Sequence, residues 1–380
     1  VGTACNLVVN DQLNATLTRF WQIEHNARQN TRSPEERACE GHFARTYRRN
    51  PEGRFIVSLP IKEENLQGLG ESRDIAVRRF KNLERKFGKQ PQLKEEYAKF
   101  IHEYLSLKHM REIRDDSPRW NVRQYYLPHH CVIKEASTTT KLRVVFDASS
   151  KTDKGVSLND ALMIGPVLQQ DLFMILLRFR AFKYVMTSDI TKMYRQILVE
   201  DSQTPLQRIV WRDNPSEEIR TYELLTLTYG TAPASFLATK VIQQLADLEE
   251  NQFPKGAVIA RRDFYMDDLI TGAETIEEAL TIRNEVSELL QKGGFILRKW
   301  ASNHQDLLKD IADELLDNTA LELDKDCAAK TLGVGWIPMK DVFQYSIKIA
   351  TLTACTKRIM LSSIAQIFDP LGLLAPIVLT

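Results

Sequence analysis

Cysteine is scarce and scattered: the five present, Cys5, Cys39, Cys131, Cys327 and Cys355, lie far apart and form no CxxC pair. That spacing argues against a disulfide framework or a zinc ribbon, and reads as free thiols in a reducing compartment. Net charge is missing too. Lysine and arginine total 51 against 50 acidic residues, so only local charge carries information about a polyanionic partner. No signal peptide opens the chain. Its longest apolar stretch, LGLLAPIVLT at the C-terminus, is too short to span a bilayer and contains Pro376, so no membrane partner is expected. Internal repeats and low-complexity tracts are also absent. A start at Val1 and an end inside an apolar run give the expectation of a piece of a longer polypeptide. What is present, 380 residues of which 43% are hydrophobic, suffices for one large domain or two to three modest ones.

Residues 1–50 are polar, with Phe20, Trp21 and Ile23 the main apolar anchors; TRSPEERACEGHFARTYRRNPEG reads as loop and short helix before a strand at Arg54–Leu59 closed by Pro60. From Arg73 to Arg114 apolar residues recur at three- and four-residue steps (Phe80, Leu83, Phe87, then Tyr97, Phe100, Ile101, Tyr104, Leu105), which predicts two helices divided by Gly88 and Pro91. That stretch holds twelve Lys/Arg against six Asp/Glu, compatible with a solvated helix face or with nucleic-acid contact. After Pro118 the texture turns β-rich. YYLPHHCVIK and KLRVVFDAS read as a hairpin, LQQDLFMILLRFR as a helix, KYVMTSDI as a strand, and PLQRIVWRD and IRTYELLTLTYG as strands turning at Asn214-Pro215. SFLATKVIQQLADLEE reads as a helix facing Phe236, Ile242, Leu245 and Leu248 inward. AVIARRDFYMDDLITGA reads as strand, turn, strand, and ETIEEALTIRNEVSELLQKGG as a helix stopped by Gly293-Gly294. Residues 305–326, with eight acids against two lysines, are a poor nucleic-acid surface. The order predicts an α+β fold with helices on one sheet face.

Phe264-Tyr265-Met266-Asp267-Asp268-Leu269-Ile270 places two adjacent carboxylates where an apolar run must reverse. Aspartate suits turns, so a hairpin tip with solvated charges explains the pair taken alone. A second strand, Tyr184-Val185-Met186-Thr187-Ser188-Asp189-Ile190, ends on another acid. If the two strands are neighbours, three carboxylates converge at one sheet edge, and their repulsion calls for a divalent cation. Mg²⁺ suits such a site, completing its shell with waters and substrate phosphates. Two ions about 3.5–4 Å apart would activate a hydroxyl and stabilise a leaving pyrophosphate. His129-His130 beside Cys131 is not read as a metal site, because no second Cys/His cluster stands at zinc spacing.

With these residues in place the sequence resembles the reverse transcriptases. Lys141–Asp147 followed by Ser157-Leu158-Asn159 is similar to that family's fingers segment, and Asp189–Tyr194 to its first catalytic motif, with an aromatic five residues after the aspartate. Tyr229–Phe236 resembles the glycine–proline motif, Gly294–Lys299 the glycine-to-lysine motif, and Leu332–Trp336 the hairpin that grips the primer end. These cover about residues 120–340. VVFDAS with SLND, TYGTAPASFLAT, LRKWASN and TKRIMLSSIAQIFDPLGLLAP resemble the polymerase segment of BEL/Pao-type LTR retrotransposons. GRFIVSLP and LGESRDIAVRRFKNLE resemble the stretch joining protease to polymerase in those elements.

The resemblance implies a right-hand polymerase (fingers, palm, partial thumb) whose palm is an antiparallel sheet backed by helices. It sets residues 1–115 as an N-terminal linker and helical extension, 116–340 as fingers and palm, and 341–380 as the start of the thumb and connection. It implies RNA-directed DNA polymerase activity on an RNA or DNA template-primer with dNTPs, using two Mg²⁺ (or Mn²⁺). Asp189, Asp267 and Asp268 would be metal ligands and catalytic residues. Arg143 and Lys141 would hold the triphosphate, Arg through its planar fork. Tyr194 would lie under the sugar and exclude a 2′-hydroxyl, and Gly230 and Pro233 would shape a loop under template and nucleotide. Lys299 or its neighbour Arg298 would protonate the pyrophosphate. The gap from Gly230 to Pro233 is short and no glutamine precedes the glycine, so the family's glutamine–nucleotide contact is not carried over. Protease, RNase H and integrase would be partners elsewhere in the Pol polyprotein, in a cytoplasmic virus-like particle. Two rivals stand beside this: a catalytically inactive remnant that binds nucleic acid, and a metal-dependent nuclease using the same carboxylates.

Overall fold

The computed structural model describes residues 32–113, 123–133, 142–317, 329–331, 334–344, 356–359, 369 and 371–372. Helix α1 (Pro34–Thr46) opens on a capping box, in which the Ser33 hydroxyl accepts from the Glu36 N–H and the Glu36 carboxylate from the Ser33 N–H. Strands β1 (Arg48–Arg49) and β2 (Phe55–Val57) follow, then α2 (Glu63–Gln67). The two long helices expected from periodicity are present as α3 (Arg73–Lys89) and α4 (Pro91–Ser106), parted at Gln90 with Pro91 at the first position of α4. Their buried stripes are Ala76, Phe80, Leu83 and Phe87, then Leu93, Tyr97, Ile101 and Tyr104.

Beyond them run β3 (Met110–Ile113), the hairpin β4 (His129–Ile133) and β5 (Leu142–Phe146), and α5 (Leu172–Ala181). The turn expected between β4 and β5 lies outside the described residues. Then come β6 (Tyr184–Ile190), the single turn α6 (Met193–Gln196), β7 (Leu198–Val199), β8 (Arg208–Trp211), β9 (Arg220–Leu224), and α7 (Ala234–Glu249). The rest is α8 (Pro254–Arg262), β10 (Phe264–Tyr265), β11 (Asp268–Ala273), α9 (Ile276–Lys292), β12 (Leu297–Ser302), and the small sheet β13 (Ala329–Thr331), β14 (Val334–Ile337), β15 (Val342–Gln344).

The central sheet has the order β10-β11-β6-β12, all antiparallel. Side chains alternate across it. Met186, Ile190, Leu269 and Ala273 join the large core with Val241, Leu245, Ile259, Val286 and Leu289 of α7, α8 and α9. Val185 and Ile270, one residue out of phase, join a second cluster with Ile175, Leu176 and Phe179 of α5 and with Trp336. The α+β class and the antiparallel sheet backed by helices are as expected. The sheet, however, is covered on both faces: α5 and Trp336 cap the face expected to be bare.

Three local expectations change. Residues 257–262, expected as strand, belong to helix α8, because Pro254 occupies its first turn and Gly256, Ala257, Ile259 and Ala260 bury at helical spacing. Leu248 falls in the last turn of α7 and is 47% exposed, whereas Phe236, Ile242 and Leu245 are buried. The strand before Pro60 is shorter than expected, Phe55–Val57. The described part of the segment set apart as 1–115 is built into the fold. Its β3 pairs with β9, its β2 runs parallel to β7, and its Phe80, Tyr97 and Tyr104 share a core with Phe146 and Trp211. Among the described residues no helix is long and apolar enough to cross a membrane.

Candidate active site

Strand β6, interior to the sheet, delivers Asp189 to one end of it, directly opposite Asp268 of β11 in the cross-strand register. Tyr265 pairs with Asp268, so Met266 and Asp267 form a two-residue hairpin loop. Met266 has φ +57 in the first loop position, where such a turn usually takes glycine. Two hydrogen bonds hold the loop: the Met266 N–H donates to Gln169 Oε1 at 3.2 Å, and the Ile190 N–H to the Asp267 carbonyl at 2.8 Å. Below the hairpin, Asp263 is 1% exposed and accepts from Arg178 Nε (3.3 Å), Arg262 Nε (2.8 Å) and Thr271 Oγ1 (2.8 Å), joining α5, the end of α8 and β11.

Asp189 is not a bare carboxylate. Arg298 Nε donates to Oδ1 at 2.9 Å and Lys299 Nζ to Oδ2 at 2.8 Å. Asp267 and Asp268 make no ion pair among the described residues. Burial pushes the Asp268 carboxyl up to about 7, with Asp267 and Asp189 adding to it and Lys299 opposing. Asp267 is also raised, first by desolvation and then by Asp189, against Lys299 and Arg143. Its residue as a whole is exposed at the loop tip, which tempers that effect.

As the side chains stand, no group of three or more His, Cys, Asp or Glu among the described residues could hold a metal ion. The three aspartates are brought together along the backbone, while the Asp189 carboxylate is turned to its two cations. The donor chemistry still fits a hard divalent cation. Burial with the charges of Asp267 and Asp189 disfavours Asp268 as an anion, Asp189 disfavours Asp267, and a cation would relieve both. His129, by contrast, is buried between Tyr97 and the Val210 carbonyl, bonded to both, while His130 is exposed.

Around the carboxylates, Arg143 on β5 is exposed and near enough to Asp267 to oppose its shift. Lys141 lies outside the described residues. Tyr194, half-buried on α6, places its hydroxyl 3.4 Å from Ser235 Oγ and its ring edge-on to Tyr229, centroids 6.4 Å apart. Burial raises its hydroxyl pKa, and Asp267 adds to the shift. Gly230 has φ +96, and a Cβ there would sit 2.3 Å from the Phe146 carbonyl oxygen of β5, so the loop abuts the β4–β5 hairpin. Pro233 is buried at the N-cap of α7. Asn159 clasps this loop: its Nδ2 donates to the Gly230 carbonyl (3.0 Å) and its Oδ1 accepts from the Ala232 N–H (2.7 Å). Trp336 of the expected primer-gripping hairpin is buried edge-on to Phe179, centroids 5.1 Å apart; Leu332 and Gly333 lie outside the described residues.

Sequence reading missed Gln169, Asp263, and the grip of Arg298 and Lys299 on Asp189. Asn159 stood in a recognised string but without a role. An acid beside Arg262, one step before the strand, was the available signal for Asp263.

Fold and site together define an α+β protein whose antiparallel sheet presents three carboxylates at one end of its strands. No family model and no curated protein sequence matches the chain. Among solved structures it is similar to the foamy viral protease-reverse transcriptase in complex with RNA/DNA hybrid, at 18% identity and a TM-score of 0.43, over 64% of this chain and 26% of that one. It is likewise similar to native Prototype Foamy Virus protease-reverse transcriptase, at 16% identity and a TM-score of 0.38, over 53% and 23%. The chain thus spans about a quarter of the length of the proteins it matches.

Proposed function

We propose that this chain is the fingers-and-palm part of an RNA-directed DNA polymerase, from the Pol polyprotein of a BEL/Pao-type LTR retrotransposon. The observation that carries the reading is the cross-strand pairing of Asp189 with Asp268, with Asp267 in the two-residue loop beside them. In the reaction the primer 3′-hydroxyl gives its proton to water, and its oxygen bonds to the α-phosphorus of a dNTP as the bond from that phosphorus to the bridging oxygen breaks and pyrophosphate leaves. Two Mg²⁺ (or Mn²⁺) held by Asp189, Asp267 and Asp268 would supply charge neutralisation and an activated hydroxyl.

The chain's own side chains do the remainder. Arg143, with Lys141, binds the triphosphate, and Tyr194 lies under the sugar and excludes a 2′-hydroxyl. The Gly230–Pro233 loop supports template and nucleotide, and Lys299 or Arg298 hands a proton to the pyrophosphate. Template-primer of RNA or DNA, dNTPs, and the protease, RNase H and integrase of the same polyprotein are the partners, in a cytoplasmic virus-like particle.

A primer-extension assay with Mg²⁺ and dNTPs tests this. Wild type extends a primer on RNA or DNA template, and Asp267→Asn does not. Binding without extension by wild type would identify an inactive nucleic-acid-binding remnant, and template degradation without extension a nuclease.

A further inference from the structure

Tyr194 is carried by a helix of one turn, too short to hold its position unaided, so its placement depends on what anchors that turn. The anchors come from the N-terminal segment. Arg195, only 6% exposed, donates from Nε to His109 Nδ1 at 2.9 Å and from Nη1 to Glu103 Oε1 at 2.6 Å. Its guanidinium carbon stands 3.9 Å from the centre of the Tyr104 ring, and its Nη2 has no hydrogen-bond partner among the described residues.

Glu103 receives a second cation, Lys192 Nζ at 2.8 Å, from the left-handed residue (φ +51) that starts the turn. Arg54 closes the other end, donating from Nη2 to the Arg195 carbonyl (3.0 Å) and from Nε to the Gln196 carbonyl (2.9 Å). Burial, reinforced by Arg195, Arg54 and Lys192, lowers the His109 pKa to about 4, so Nδ1 stays a free acceptor at neutral pH. The Tyr104 hydroxyl also meets that of Tyr229, whose ring packs on Tyr194. The turn is thus held at both ends and beneath by residues 54, 103, 104 and 109, none of which lies in a polymerase-like motif.

We propose that Glu103, Arg195 and Arg54 are positioning residues for Tyr194, so that the N-terminal segment sets the choice between deoxy- and ribonucleotides. The inference rests on the polymerase reading above. Displacement of a contact group by about an ångström can cost up to a hundredfold in rate, and here the displaced group would discriminate between two sugars.

The test is single-nucleotide incorporation with matched dNTP and rNTP by wild type, Tyr194→Val, Glu103→Gln and Arg195→Lys. The Glu103 side chain is 41% exposed, so its amide variant keeps the fold, which a melting curve checks. The expected result is a roughly tenfold fall in the deoxy-to-ribo ratio of kcat/KM for Glu103→Gln, in the direction of Tyr194→Val. A merely structural role would lower the active fraction and leave the ratio alone, and that result overturns the proposal. If wild type extends nothing, the polymerase reading itself fails. If Tyr194→Val shifts the ratio and Glu103→Gln and Arg195→Lys do not, only the positioning inference falls.

Discussion

Lys299 reaches Asp189 through a left-handed backbone. Consecutive residues of a strand face opposite ways, so Arg298 and Lys299 should not meet the same carboxylate. The register of β12 against β6 shifts between Arg298 and Ala301, and Lys299 within that irregularity has φ +54. A bulge of this kind turns neighbouring side chains to one side. Both cations therefore close on Asp189, at 2.9 and 2.8 Å.

A metal ion bound by Asp189 would compete with them. Lys299→Met should tighten Mn²⁺ binding about fivefold, or roughly 1 kcal/mol, since the pair is partly exposed and screened. Isothermal titration without substrate reads this independently of any activity. Unchanged or weaker binding would show that Lys299 does not contend for the carboxylate.

Asp263 is the structural acid beneath the candidate site. Asp263→Ala takes the acceptor from the partly exposed Arg178 and Arg262 and from buried Thr271, and should destabilise the fold by about 2–3 kcal/mol in urea unfolding. Asp263→Asn keeps the shape and part of the bonding and should cost less. Equal, small losses for both would contradict the buried-ion account.

Asn159 makes a paired contact with the Gly230–Pro233 loop as donor and acceptor at once. Asn159→Asp can still accept from Ala232 but sets a carboxylate against the Gly230 carbonyl. It should lower stability by about 1–3 kcal/mol, and Asn159→Ala similarly, by thermal melting. Gly230→Ala should cost more than either, because its Cβ collides with the Phe146 carbonyl.

Acid should act through two buried histidines. His109 and His129 are both lowered to about 4, each chiefly by burial. From pH 6.5 down to about 4 the unfolded chain binds protons that the folded chain refuses, so stability falls as pH falls across that window. The loss attributable to each is at most a few kcal/mol. Asp268, pushed up to about 7, acts in the opposite sense without metal, so the whole-protein curve mixes the two. His129→Gln isolates one of them: its stability difference from wild type should shrink between pH 7 and pH 4.5 in urea titrations, and a pH-independent difference would sink the assignment.

Much of this architecture was legible because it is local. The stripes of α3 and α4, the strand ending on Asp189 and the Asp267–Asp268 reversal are patterns of neighbouring residues, and each lies where periodicity put it. Residues 257–262 were misread because a short apolar run serves strand and helix alike, and Pro254, just before it, was the decisive residue. The second covered face of the sheet depends on α5 and Trp336, more than 150 residues apart in the chain, arriving at one place. The bulge at Lys299 leaves no trace in residue type, since lysine has no preference for left-handed backbone. The Arg195 anchors were hidden for the same reason, since His109 and Glu103 have no sequence relation to Tyr194.

The pairing of β3 with β9 sets an order of events in synthesis. Met110 meets Leu224, so more than a hundred residues must leave the ribosome before that strand finds its partner. At cellular elongation rates the delay is on the order of ten seconds. Through that time the apolar stripes of α3 and α4 are made but lack Trp211, the ring that Phe80, Phe87 and Tyr97 close upon. Helices α3 and α4 with strand β3 therefore wait on a later part of the chain. Until Trp211 is delivered, part of those stripes stays open to water.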